Sequence, residues 1–250
     1  MKSSFLFCSI IIAVYIAIAV ICGILGQIIF NYLEIESASN LAYFDSALYG
    51  IIHTVIFWNI LNKTGLPTIK GTKLKSSIYF VFSSMVIIAL FSNAVASLFS
   101  YIGVSEASLG YSAENGNLIL EFASLVIIGP ISEELVFRGA IYGKLRKSHN
   151  FFGAAVISST IFALFHGFGP ATINAFMIGM VLCLAFEKTK SLIPCFIIHA
   201  CNNILAIVSN GEAVIKVDSL FFVLVPLAIS LALYYIVYKE DWTEKMGDDR

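Results

Sequence analysis

Charged residues are scarce in this sequence. Only 12% of the 250 residues are Asp, Glu, Lys or Arg, while 59% are hydrophobic, and the mean hydropathy is +0.90. Soluble domains carry about 25% charged residues, so this composition excludes an ordinary water-soluble fold. The net charge is −1, and the chain has no basic surface of the kind that binds nucleic acid. A DNA or RNA partner is therefore not expected.

Several sequence signatures of catalysis and metal binding are also absent. The five cysteines, Cys8, Cys22, Cys183, Cys195 and Cys201, lie in apolar runs and form no Cys-x-x-Cys pair, so we interpret them as small core or lipid-facing residues. The sequence contains no Gly-x-Ser-x-Gly element and no His-Glu-x-x-His element. Its apolar runs hold no pair of Asp residues that would share a proton.

Long apolar runs are what the sequence has in abundance. A membrane-spanning helix needs about 20 mostly apolar residues. Eight such runs occur, at roughly 5–30, 41–61, 77–101, 118–143, 151–168, 170–187, 191–209 and 219–238. We predict an all-α, polytopic membrane protein with about eight transmembrane helices in a single integral membrane domain, residues 1–250. The first run is too long for a signal peptide, so we expect it to remain as a helix.

The distribution of Lys and Arg over the short loops predicts the orientation of the chain. With a cytoplasmic N-terminus, the basic loops fall on the inside and only Lys216 falls outside. The outer loops 31–40 and 103–117 carry Glu but no Lys or Arg, which agrees with this assignment. Both termini are therefore predicted to be cytoplasmic.

Residues 129–139 of the fourth apolar run contain three ionisable residues. Such side chains cost about 2.5–3.5 kcal/mol on membrane-insertion scales, so each indicates a functional or paired position. Glu134 and Arg138 are spaced i,i+4 and are predicted to form an ion pair on one helix face. Glu133 projects about 100° away from its neighbour. The preceding Gly129-Pro130 step predicts a kink, or a restart of the helix that would point free amides at the carboxylates.

Two later runs add His166, and His199 with Asn203. At a rise of 1.5 Å per residue, Glu133 and His166 both lie about 21–23 Å from the cytoplasmic ends of adjacent antiparallel helices. Asn203 lies about 18 Å deep, and His199 stands one turn away on the same face. We therefore predict that these four polar groups meet in one layer of the membrane.

Other polar residues receive a structural interpretation. His53 is expected to be a packing residue, and His149 lies in a basic loop. Asp45 and Glu121 are expected to reach the interface from the outer ends of their helices, and Asn174 is expected to form an interhelical hydrogen bond.

The four-residue cluster supports hydrolysis of a peptide bond. A carboxylate and an imidazole activate water, and His and Asn donors stabilise the oxyanion that forms when water adds to the carbonyl. The predicted roles are water activation for Glu133 and His166, oxyanion stabilisation for His199 and Asn203, and support of the helix for Glu134 and Arg138.

The same atoms allow zinc, although no cofactor is assigned. Glu133, His166 and His199 would form a three-ligand set with an open position for water. These ligands would come singly from three helices, without the closely spaced pair of zinc proteases, so the metal-free version is preferred.

Three motifs in this order resemble the CPBP family, which groups type II CAAX prenyl endopeptidases with bacterial Abi-type membrane proteins. They are Glu133-Glu134-x-x-x-Arg138, Phe162-x-x-x-His166 and His199-x-x-x-Asn203. The resemblance implies an all-α intramembrane endopeptidase with a catalytic core over residues 118–209. It assigns water activation to the first-motif Glu and second-motif His, with the third-motif His and Asn opposite. It also implies a hydrophobic or lipidated peptide substrate, CAAX-like or bacteriocin-like, reached from the cytosol or the lipid bilayer.

Two other function classes remain open. The first is a non-proteolytic membrane immunity or peptide-binding protein of the same fold. The second is a small transporter or proton-coupled channel, since mid-membrane Glu, His and Arg also serve proton relays. The sequence shows no inverted repeat and only one clearly broken helix, which disfavours transport.

Overall fold

The computed structural model describes residues 2–33, 37–66, 74–102, 117–208 and 220–239. Within these ranges every regular element is helical, which confirms the all-α prediction. The helices are α1 (Lys2–Tyr32), α2 (Ala38–Thr64), α3 (Leu74–Tyr101), α4 (118–146), α5 (Phe151–Leu164), α6 (Pro170–Thr189), α7 (Leu192–Val208) and α8 (Leu220–Lys239). Each of them follows one of the apolar runs.

Among the described residues, four helices are long and apolar enough to cross a membrane. Their apolar segments are Ser3–Tyr32, Ala38–Thr64, Phe80–Phe99 and Pro170–Thr189, and shorter apolar helices cover Phe151–Leu164, Leu192–Val208 and Val223–Lys239. On α1, the side chains of Leu6, Ile24 and Ile28 are 64%, 58% and 58% exposed. Such an apolar surface suits lipid rather than water. The chain is a multi-pass membrane protein.

Parts of the orientation prediction lie outside the described residues. These parts are residues 34–36, 67–73, 103–116, 209–219 (which include Lys216) and 240–250. The cytoplasmic placement of both termini stays a prediction.

The chain divides into two compact units. The first combines Met1–Thr68 with Ala113–Ala154, and the second combines Ile69–Ser112 with Ala155–Arg250. Helix α5 begins in the first unit and continues in the second. Each unit is described by itself.

In the first unit, α1 runs antiparallel to α4. The Ser148 hydroxyl donates to that of Ser4 at 3.1 Å, whereas Tyr15, further along α1, contacts the ring of Phe137, earlier in α4. The start of α1 thus lies beside the end of α4, where Lys144 places its ammonium over the Phe7 ring. The predicted topology puts the N-terminus and this basic turn on the same side of the membrane, and the first unit shows them at the same end.

Helix α2 runs parallel to α4 in the same unit. The backbone N–H of Asn117 donates to the Asn40 side chain at 2.7 Å, which joins the starts of the two helices. Further along, a Cβ on Gly50 would lie 2.6 Å from a methyl group of Ile128. Gly50 therefore allows α2 to approach α4 closely ahead of the Glu133 segment.

Helix α4 changes its hydrogen-bond register twice. Two π-helical stretches, Ala123–Ile128 and Leu135–Tyr142, flank an α-helical turn, Gly129–Glu134. The Gly129 N–H donates to the Ser124 carbonyl, five residues back, and a Cβ at Gly129 would lie only 2.8 Å from that oxygen. Pro130 has no N–H to continue the ladder, so the helix absorbs it by this shift. The expected kink or restart is thus a change of register, with helical backbone dihedrals throughout.

In the second unit, α3 packs against α6, α7 and α8. The Tyr234 hydroxyl on α8 donates to the Met180 carbonyl on α6 at 3.4 Å, and the Cys195 thiol on α7 donates to the Leu182 carbonyl at 3.5 Å. The cysteines of the described residues are all free, and Cys195 is a buried core residue, as predicted.

Helix α5 packs tightly on α6 at Gly179. A Cβ on Gly179 would lie 2.8 Å from the Cβ and 3.1 Å from the Cα of Ser159, which are stiff neighbours. We expect Gly179→Ala to lower the free energy of unfolding by about 1–3 kcal/mol through overpacking. Thermal unfolding in detergent measures this change.

The matched control for Gly179 is Gly23 on α1, where an added Cβ would meet nothing within 4 Å. Gly23→Ala is expected to leave the stability unchanged or to raise it by up to about 1 kcal/mol, because alanine favours helix. Equal effects of the two substitutions would contradict the tight α5–α6 contact.

Candidate active site

The first unit contains a buried ion pair on α4. The Arg138 guanidinium donates to a Glu134 carboxylate oxygen at 2.8 Å, and both side chains are fully buried. The predicted pair is thus confirmed. The two charges neutralise each other where either alone would be prohibitive. The predicted role of the pair in holding the turn that carries Glu133 stays a prediction.

Glu133 lies on a different face of this turn and is only partly buried. Phe137 follows it by four residues, and the Tyr15 ring from α1 packs edge-on against Phe137 with centroids 5.7 Å apart. The phenols of Tyr15 and Tyr49 both lie within electrostatic range of the Glu133 carboxylate. Glu133 therefore has two tyrosines of its own unit as polar neighbours.

His53 on α2 supports this arrangement. It is fully buried, and its ring stacks on that of Tyr15 with centroids 4.3 Å apart and planes 14° apart. Its Nε2 lies 3.1 Å from the Tyr15 carbonyl oxygen, which only accepts, so Nε2 carries a hydrogen. His53 is a packing residue, as predicted, and the residue on which it packs is a neighbour of Glu133.

In the second unit, His166 lies just beyond α5. The fifth run was predicted to continue to residue 168, but α5 ends at Leu164. The amides of Phe165 and His166 bond three residues back, to the carbonyls of Phe162 and Ala163, which tightens the last turn. Gly167, with φ at +90°, then turns the chain away.

The tautomer of His166 follows from a hydrogen bond. Its Nδ1 lies 2.9 Å from the Phe162 carbonyl oxygen, so Nδ1 carries a hydrogen. In the neutral ring, Nε2 then has the lone pair and is the nitrogen that accepts a proton or orients a water.

Phe162 joins the two histidines of the second unit. Its buried ring lies 4.4 Å from the His166 ring and 5.7 Å from the His199 ring, centroid to centroid, the second contact being edge-on. The ring of Phe162, in the second motif, thus contacts the imidazoles of both His166 and His199. His199 is 3% exposed, so little water reaches it.

Asn203 stands one turn after His199 on α7. The Asn202 amide donates to the Asn203 side-chain oxygen at 3.3 Å. This bond occupies the side-chain oxygen of Asn203, so the NH₂ group is the donor of that amide. A donor of this kind is what an oxyanion site requires.

The predicted site residues therefore form two sets, one in each unit. Glu133, Glu134 and Arg138 belong to the first, and His166, His199 and Asn203 to the second. It stays a prediction that the four catalytic groups meet in one layer of the membrane. The role of each group also stays a prediction. Sequence reasoning missed Tyr15 and Tyr49, for which the only signal is a polar hydroxyl inside an apolar run.

One minor expectation is wrong. Glu121 was expected to reach the interface, but it is 3% exposed and bonds to the Tyr43 hydroxyl. The side-chain oxygen of Asn174 has no hydrogen-bond partner among the described residues, and the interhelical bond expected of this residue stays a prediction.

A metal would find few ligands in either set. The His166 ring could offer only Nε2, because Nδ1 is bonded to the Phe162 carbonyl. Among the described residues, no three His, Cys, Asp or Glu side chains are grouped as a metal site.

Comparisons with known proteins place this region in a family. Residues 115–205 match the family model described as type II CAAX prenyl endopeptidase, Rce1-like. YdiL of Bacillus subtilis (strain 168), described provisionally as a membrane peptidase, is 32% identical over 136 residues, covering 51% of this chain and 54% of YdiL. The UPF0177 protein YxdF of Lactococcus lactis subsp. lactis (strain IL1403) is 33% identical over 41% of this chain and 54% of YxdF.

A third relative carries a functional name. The membrane-embedded CAAX protease MroQ of Staphylococcus aureus (strain USA300) is 36% identical over 36% of this chain and 40% of MroQ. The chain spans about half the length or less of these relatives. No solved structure matches it. The matched segment contains all six predicted site residues, and over residues 115–205 the chain is similar to the Rce1-like, or CPBP, family.

Proposed function

We propose that this chain is an intramembrane endopeptidase that hydrolyses a peptide bond in a hydrophobic or lipidated segment. The observation that carries the proposal is the pair of histidines packed on Phe162, within the segment that matches the family. The hydrogen bond of His166 to a backbone carbonyl leaves Nε2 as a proton acceptor. Peptide hydrolysis needs a proton acceptor and a hydrogen-bond donor close together, and His166 and His199 on Phe162 are suited to these roles.

Water activation is assigned to Glu133 and His166. The Glu133 carboxylate takes a proton from a water that His166 Nε2 orients, and the water oxygen forms a bond to the carbonyl carbon. The carbonyl π electrons move onto oxygen and give an oxyanion. When this intermediate collapses, the C–N bond breaks and the proton held by Glu133 passes to the leaving amine.

Oxyanion stabilisation is assigned to His199 and Asn203. His199 is buried on α7, and Asn203 presents its NH₂ group one turn later. Donors fixed before the reaction stabilise the developing charge most strongly where water is excluded.

The substrate class follows from the surroundings of the site. The chain lies in the bilayer and exposes apolar helix faces, so an apolar or lipid-modified peptide reaches it more readily than a soluble one. MroQ is named a CAAX protease. For this chain we propose CAAX-like or bacteriocin-like peptides.

Cleavage of membrane peptides tests the proposal. The protein purified in detergent is incubated with membrane-peptide libraries, and products are compared for wild type, Glu133→Ala and His166→Ala. We expect wild type alone to cleave. Addition of a chelator separates the two catalytic types, since only a zinc enzyme loses activity. A wild type that binds peptides without cleaving them would instead indicate the immunity or peptide-binding role.

Asn203→Asp tests the oxyanion assignment. The substitution replaces an NH₂ donor by an acceptor, so kcat is expected to fall about 10²–10³-fold, as when one oxyanion donor is lost. The matched control is Asn59→Asp on α2, an exposed asparagine whose NH₂ group donates to the Val55 carbonyl at 2.8 Å, and this variant is expected to retain most of the activity. Equal losses in both variants would argue against a specific role for Asn203. Steady-state kinetics on a cleaved peptide gives both values.

A further inference from the structure

A tyrosine of α1 lies over the face of α4 that carries Glu133. Tyr15 is 7% exposed, and its ring packs edge-on against Phe137 at a centroid distance of 5.7 Å. Phe137 follows Glu133 by one turn and shares its helix face. The contact therefore directs Tyr15 toward the Glu133 side of the helix and away from the buried Glu134 pair.

Helix α2 holds Tyr15 in place through His53. The two rings stack at 4.3 Å, and His53 Nε2–H donates to the Tyr15 carbonyl at 3.1 Å. The first contact fixes the side chain of Tyr15, and the second fixes its backbone. A ring locked by packing on two sides presents its hydroxyl in one direction, which is the condition for a precise supporting bond.

The hydroxyl of a buried tyrosine requires a hydrogen-bond partner. The Glu133 carboxylate and the Tyr49 phenol both interact electrostatically with Tyr15. The Tyr49 oxygen already accepts from the Ser46 hydroxyl at 3.2 Å. A carboxylate is the stronger acceptor, because a hydrogen bond to an ionised group is about twice as strong as a neutral one.

We propose that Tyr15 is a positioning residue for Glu133, with its hydroxyl donating a hydrogen bond to the carboxylate and His53 holding Tyr15 in register. One carboxylate oxygen is then anchored, and the other is aimed at the reacting water. The effect of this hydrogen bond on catalysis rests on the proposed function, whereas the existence of the bond between Tyr15 and Glu133 does not depend on that function.

Kinetics of Tyr15→Phe tests the positioning role, because Phe keeps both ring contacts and loses only the hydroxyl. We expect kcat to fall about ten-fold with little change in KM, since the bond acts on the reacting group and not on substrate binding. His53→Phe is expected to lower kcat in the same way. The double variant is expected to be no slower than Tyr15→Phe alone, because both act through one bond.

The matched control is Tyr234→Phe in the second unit, which also removes a buried tyrosine hydroxyl bonded within the protein. It is expected to keep the wild-type kcat. An unchanged kcat for Tyr15→Phe, or losses from Tyr15→Phe and His53→Phe that multiply in the double variant, would overturn the proposal. A loss confined to Tyr49→Phe would overturn it as well.

A stability cycle tests the bond without any substrate. Tyr15→Phe and Glu133→Leu are combined, and the unfolding midpoint in detergent is measured for wild type, both single variants and the double. A direct bond predicts that the two shifts are not additive. Additive shifts would overturn the proposal. If the wild type cleaves no peptide, the proposed function fails and this cycle still decides whether Tyr15 binds Glu133.

Discussion

Glu133→Gln is expected to lower kcat for peptide cleavage by about 10²–10⁴-fold, the range that general base catalysis contributes. The amide has the size and shape of the carboxylate but does not accept a proton from water. Because Glu133 is partly buried and lies outside the Glu134–Arg138 pair, the substitution leaves that pair in place. Steady-state kinetics on a peptide that wild type cleaves gives kcat and KM.

The matched control for Glu133 is Glu121, another buried carboxylate of α4, which bonds to Tyr43. Glu121→Gln is expected to keep kcat near the wild-type value while it carries a similar change of charge. A Glu133→Gln protein that cleaves as fast as wild type would remove Glu133 from the reaction. A loss of folding in both variants would instead appear in the unfolding midpoint.

Local sequence was sufficient for the helices but not for their hydrogen bonding. Apolar length predicts each span, since a helix is the way a single segment satisfies its backbone in lipid. At Gly129-Pro130 the same rules predicted a kink or restart, but the helix shifts into π geometry around Ser124. Local sequence rules do not specify which carbonyl the Gly129 amide bonds. The end of α5 before His166 was not predicted, because Gly167 and Gly169 adopt their positive φ only in the folded turn.

The candidate site was predictable where charge stood out against an apolar background. The i,i+4 spacing of Glu134 and Arg138 predicted their ion pair, and the histidines were easily recognised within apolar runs. Tyr15 was not conspicuous, since tyrosine is common among apolar residues. Its importance arises from the antiparallel packing of α1 on α4, which no local pattern encodes.

Arg138→Met is expected to lower the free energy of unfolding by about 3–5 kcal/mol, because it leaves Glu134 as an unpaired charge in a site with no access to water. Glu134→Leu is expected to cost a similar amount by leaving the guanidinium alone. Denaturant unfolding in detergent measures both. Effects below about 1 kcal/mol would be those of an exposed pair and would contradict the observed burial.

The double variant Glu134→Leu with Arg138→Met separates stability from positioning. Replacing both partners of a buried pair by apolar residues of similar volume is often neutral, so its stability is expected to return close to that of wild type. If the pair also holds the turn of α4 that carries Glu133, kcat stays low in this stable protein. A double variant with wild-type stability and wild-type kcat would show that the two charges neutralise each other but do not position Glu133. Because the two measurements are made on one folded protein, a low kcat there cannot be attributed to misfolding.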